Sequence, residues 1–115
     1  MGDHSQVCIK DNDARVYLYS HWGGNDIYTA AVRGLKRAPD RWNDPEYLAR
    51  NIFCEMVKGQ ENETTGFGIG VTEHGDIEHP VPVFDVNTQI VTWEGEGFAL
   101  PPPCTFAKFV ARHGT

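Results

Sequence analysis

Paired cysteines are missing from this sequence. It holds Cys8, Cys54 and Cys104, an odd number with no Cys-x-x-Cys spacing. That argues against a disulfide framework and fits a reducing, cytoplasmic setting. Positive charge is scarce too. Ten Lys and Arg stand against sixteen Asp and Glu, for a formal net charge of -6. Non-specific nucleic-acid binding needs a basic footprint, so that class is set aside. The acidic balance reads as solubility, with mimicry of nucleic acid or a basic protein surface as the alternatives. No apolar run approaches the ~20 residues of a membrane span, and Met1 to Asp13 lacks the apolar centre of a signal peptide. A soluble, cytoplasmic product without a membrane partner is expected. Catalytic signatures are equally sparse. There is no Gly-x-Ser-x-Gly elbow, no Walker or dinucleotide-binding glycine pattern, and no His-x-x-x-His for a helix. No motif implies a cofactor.

What is present is an ordinary globular composition. The chain has 115 residues, 40% hydrophobic and 23% charged, which suits one domain with a real core. The clearest element is a helix from Asp44 to Lys58. Asp44 is a good N-cap, Pro45 suits the first helical position and Gly59 can end the helix in the left-handed region. Leu48, Ala49, Ile52, Phe53, Met56 and Val57 recur as adjacent pairs one turn apart and form its inner face. A second helix is expected from an Asn25 cap to about Lys36, with Arg33, Lys36 and Arg37 towards its C-terminal end, as the dipole prefers. Small residues at 30, 31 and 34 would let it lie close to a neighbour.

Strands are read at Arg15–Tyr19, where Val16 and Leu18 oppose Tyr17 and Tyr19, and at Gly66–Val71, where glycine alternates with apolar residues to leave one bare face. Val81–Asp85 and Gln89–Trp93 form a hairpin around Val86-Asn87-Thr88. Thr105 caps a short last helix, Phe106 to Arg112. Residues 1–14 read as a flexible segment in which Val7, Cys8 and Ile9 add at most a short edge strand. Residues 15–115 then make a single α+β domain: a small, mostly antiparallel sheet packed against two main helices in two layers.

Two dipeptides stand out as ligand candidates. His21-Trp22 precedes Gly23-Gly24-Asn25 at a strand-to-helix junction, where backbone amides suit anions and an indole can stack. Arg41-Trp42 precedes the Asp44 cap, with Arg for phosphate and Trp for a base. Each has a plainer alternative: a tight turn for the first, an anchor before the helix for the second, with Arg41 paired to Asp40 or Asp44. Glu73, His74, Asp76, Glu78 and His79 crowd one loop that His21 could join, but the pattern reads better as a solvated acidic loop than as a metal site. Ser20 beside His21 does not make a nucleophile–base pair, because sequence neighbours on a strand point to opposite faces.

The blocks Tyr17-Leu18-Tyr19-Ser20-His21-Trp22-Gly23-Gly24, Arg41 to Met56 and Thr65-Gly66-Phe67-Gly68-Ile69 resemble a family of small uncharacterised proteins associated with phages, prophages and some bacterial genomes. The resemblance runs from about Arg15 to Trp93, with Thr105 to Val110 a further match. It implies no activity. Its context implies a non-enzymatic accessory protein that counters host defence, either by binding a host protein or by sequestering a nucleotide-like ligand, with a homo-oligomer natural for both. The competing classes are a small hydrolase using His21 with a carboxylate, and a structural or assembly protein. His21, Trp22, Arg41 and Trp42 are the expected ligand-binding residues.

Overall fold

A computed structural model describes residues 3–73, 75 and 77–114. Its elements are β1 (Ser5–Asp11), β2 (Ala14–Ser20), α1 (Asp26–Arg37), a single 3-10 turn at Pro39–Arg41, α2 (Pro45–Met56), β3 (Phe67–Gly70), β4 (Val81–Asp85), β5 (Ile90–Glu94), β6 (Cys104–Thr105) and α3 (Phe106–His113). The fold is α+β. Six strands lie in the order β3-β2-β1-β4-β5-β6, with the helices on one face. Every neighbouring pair is antiparallel except β1 and β4, so the sheet is mixed. Among the described residues, no helix is long and apolar enough to cross a membrane.

The N-terminal segment corrects the sequence reading. Residues 5–11 are neither outside the domain nor an edge strand: β1 is central, paired with β2 on one side and β4 on the other. Val7 and Ile9 face the helices and Cys8 faces the opposite side, all essentially without exposure. A strand covered on both faces loses the alternation that marks half-buried strands, and Ser5 and Gln6 hide it further. Asp11-Asn12-Asp13 makes the β1–β2 turn, with Asn12 in the left-handed region at φ 55.

α2 begins as its sequence implies. The Asp44 carboxylate accepts hydrogen bonds from the amides of Glu46 and Tyr47. Its buried face is narrower than the apolar stripe: Leu48 and Ile52 are fully buried, whereas Ala49, Phe53 and Met56 are only partly covered. Asn25 stands at the start of α1, but its side chain makes no capping bond. The first amides turn back onto the carbonyls of Gly23, Gly24 and Asn25 instead. Thr105 does cap α3, accepting from the Lys108 amide.

α1 and α2 cross at Gly34, where a Cβ would lie 2.5 Å from the Ile52 Cα. The principal core lies between the helices and the sheet and includes Val7, Leu18, Leu35, Ile52, Phe84 and Phe109. Phe84 takes Phe106 and Phe109 edge-on at 5.6 and 5.0 Å. The other sheet face buries Cys8, Tyr17, Val81 and Val83, with Ile77 packed over them. Across that face, Arg15 of β2 reaches Glu94 of β5 at 2.9 Å and also donates to the Tyr17 hydroxyl. Three strand spacings of about 4.8 Å separate β2 from β5, so this bridge requires the sheet to curl towards it.

Gly34→Ala tests the crossing by sign. In an exposed helix the change would stabilise by roughly 1 kcal/mol. Here the methyl meets backbone, so a net loss of about 1–3 kcal/mol is expected in denaturant titrations. A second prediction concerns alkali. Burial pushes the Cys8 thiol up to about 11 from 9.0, and burial pushes the Tyr28 hydroxyl, which donates to the Pro80 carbonyl at 2.6 Å, up to about 12 from 10.0. Both groups are held neutral in the fold while the unfolded chain ionises. Their contribution is complete below pH 9 and is lost as pH rises through 11 to 12. Tyr28→Phe and Cys8→Ala should each flatten the fall in unfolding free energy above pH 9.

Candidate functional site

At the end of β2 the chain leaves the sheet through Ser20–Gly24, and this exit gathers a cluster of aromatic and imidazole rings. The Ser20 hydroxyl accepts from the Gly23 amide at 2.9 Å, which closes the turn. The His21 amide donates to the Gly66 carbonyl at 2.8 Å, tying the exit to the start of β3. Residues 3 and 4 are stitched alongside. The Asp3 amide donates to the His21 carbonyl at 2.7 Å, and the Gly24 amide donates to the Asp3 carbonyl at 3.0 Å. The Glu78 amide donates to the His4 carbonyl, and the Asp3 carboxylate contacts the His79 ring at 2.6 Å.

These backbone ties place four rings together. The Tyr19 hydroxyl and His21 Nδ1 are hydrogen-bonded at 3.0 Å. The His4 ring lies 4.2 Å from that of His21 and 5.7 Å from that of Tyr19. Trp22 meets His21 edge-on at 4.7 Å and is 58% exposed. The indole is seated on Gly66: a Cβ there would overlap its six-membered ring, and Gly66 has φ 98. The exposed indole is therefore held from beneath by bare backbone and from one side by an imidazole.

A cavity of about 410 Å³ opens beside the exit, towards α1 and the end of α2. Ser20, Asp26, Thr29, Arg33, Gln60 and Phe67 are among its walls. Ser20 and Phe67, the chain neighbours of His21 and Gly66, line it, whereas Trp22 does not. Arg33 is exposed and supplies a cation; Asp26 supplies an opposing carboxylate.

The four residues expected to bind a ligand do not come together. His21 and Trp22 stand at the N-terminal end of α1. Trp42 is half-buried at the other end, where its Nε1 donates to the Leu35 carbonyl at 2.9 Å and its ring packs edge-on to Phe106. A 12-residue helix separates the two dipeptides, roughly 18 Å by helical rise. Arg41 lies over the Tyr47 ring at 5.3 Å rather than on Asp40 or Asp44. Trp42 thus anchors the approach to α2, its plainer alternative. The residues that do join His21 and Trp22 are Tyr19, Gly66, Asp3 and His4. Tyr19 was visible as a strand aromatic and Gly66 as the first alternating glycine, but Asp3 and His4 carried no sequence signal.

Among the described residues, no group of three His, Cys, Asp or Glu is arranged to hold a metal ion. His74 and Asp76, two of the loop residues weighed as ligands, lie outside the described residues. The Glu78 carboxylate accepts from the His4 amide at 3.3 Å, so that side chain faces backbone. Searches against protein-family models, curated proteins and solved structures found no match.

Gly66→Ala should unseat the indole, since it adds a methyl under the ring and a side chain at positive φ. A stability loss of about 1–3 kcal/mol is expected, with a shift in tryptophan emission. An unchanged unfolding midpoint and spectrum would contradict the close seat.

Proposed function

We propose that the protein is a non-enzymatic, phage-type accessory protein that binds a nucleotide-like small molecule at the β2 exit and so sequesters it. The observation that carries this reading is the exposed Trp22 indole, seated on Gly66 and flanked by His21. A large apolar ring held at the surface without freedom to collapse is a stacking platform, and stacking one base on such a ring is worth roughly 1–3 kcal/mol. The cavity beside the exit holds hydrogen-bonding groups, and in this reading its Arg33, rather than Arg41 at the far end of α1, would meet a phosphate. The phage setting and the counter-defence role rest on the resemblance of the motif blocks.

The geometry favours binding over hydrolysis. The competing hydrolase would pair His21 with a carboxylate. The ring bond found at His21 goes to the Tyr19 hydroxyl, and the nearby Asp3 carboxylate is engaged by His79.

Nucleotide titration followed by tryptophan emission tests the reading directly. Trp42 and Trp93 are at least half-buried, so a surface ligand should act on Trp22. A saturable change is expected with common or cyclic nucleotides, without consumption of the ligand. Trp22→Ala should weaken binding by roughly 5- to 150-fold, the span of one lost stack. A flat titration across the nucleotide set would sink the proposal.

A further inference from the structure

We propose that β3 is the seam of a symmetric dimer, in which two copies of this chain pair their β3 edges antiparallel and continue the sheet across the two-fold axis. Among the described residues, β3 ends the sheet and pairs with β2 alone. Its outer backbone groups are thus a template for another strand. β3 is short, at four residues, but the charge and proline guards are missing: residues 64–72 contain neither, in a chain whose net charge is -6. Ile69 is 62% exposed and the following Val71 is 79% exposed.

The surface beside that edge is also unfinished. Between α2 and β3 runs a groove of about 290 Å³, walled by Val16, Leu18, Ala49, Phe53, Cys54 and Ile69. It is the uncovered part of the α2 stripe, whose Ala49 and Phe53 are only half-buried by the chain's own sheet. An apolar helix face wider than the core it meets is the pattern of a face completed by a partner.

Self-complementarity identifies the partner as a second copy. A two-fold axis through β3 is an isologous contact, so each patch meets itself reversed. The alternation of β3 places Ile69 of both copies on the helix side, next to both grooves, and Gly68 and Gly70 on the bare side. The same axis sets the two α2 helices antiparallel. Glu46 and Arg50 lie one turn apart on the groove's lip, both exposed and neither in an ion pair among the described residues. Reversal brings the carboxylate of each copy towards the guanidinium of the other. A pairing of two acidic chains is tolerable here because the strand itself is neutral.

Sedimentation equilibrium of the full chain across the micromolar range is the test. The wild type should sediment at twice the 12.9 kDa chain mass. Ile69→Lys, at an exposed position the monomer does not bury, should raise the dimer dissociation constant at least about tenfold while circular dichroism and cooperative melting are retained. Glu46→Arg and Arg50→Glu should each weaken the dimer, and the double swap should restore it. A monomeric wild type, or a dimer indifferent to Ile69→Lys, overturns the proposal, with the monomer leaving the edge to a foreign strand. The Trp22 response should survive Ile69→Lys, which keeps this test separate from that of the ligand site.

Discussion

The closeness of α1 to α2 is the constraint on which the rest of the molecule depends. Gly34 lets the backbone of one helix reach the backbone of the other at Ile52. Two helices at ordinary separation, about 8–10 Å between axes, would spread over more of the sheet. Drawn together, they leave room for α3 on the same face, and α3 delivers Phe106 and Phe109 against Phe84. The position of α1 also decides where the β2 exit lands, because the exit loop runs straight into its first turn. The crossing therefore bears on the core and on the ring cluster alike.

Much of the architecture was legible because local chemistry and tertiary packing agree. Asp44-Pro45 announces α2, Thr105 announces α3, and the β4–β5 hairpin shows as two apolar runs around Asn87. Where they disagree, sequence reasoning fails in a consistent way. β1 is buried on both faces, so it shows no period. The six apolar positions of α2 imply a fully buried face, yet only Leu48 and Ile52 are enclosed, because a periodic pattern cannot say how wide the opposing sheet is. Half of the candidate site was legible for the same reason. His21-Trp22 sits at a junction, a local feature. Tyr19 lies two residues before His21 on the same strand, whereas His4 and Gly66 arrive through pairing of β2 with β1 and β3, which no local signal encodes. Arg41-Trp42 looked similar because tryptophan before a helix serves anchoring and stacking alike, and only the partner of its Nε1 distinguishes them.

The three tryptophans illustrate how one residue type divides its labour. Trp42 joins its indole N–H to the Leu35 carbonyl and buries its ring. Trp93 lies inside the core against Tyr28 and Phe109. Trp22 alone leaves most of its ring in water, at a cost in apolar exposure that folding does not recover. That expense is sustained by a glycine seat that no other residue could supply, and it is this conjunction that separates the β2 exit from the other loops.

The central place of β1 has a consequence for how the chain matures. Asn12, in the turn after β1, bonds to Asn87, 75 residues further along. During synthesis, β1 and β2 can close as a hairpin at once, but the free side of β1 must wait until β4 leaves the ribosome. Through that interval a hydrogen-bonding edge and the apolar side chains of Val7, Cys8 and Ile9 are open to any other nascent chain. High contact order of this kind slows folding and lengthens exposure to aggregation. The translation time between β1 and β4 thus bounds how long that edge stays open.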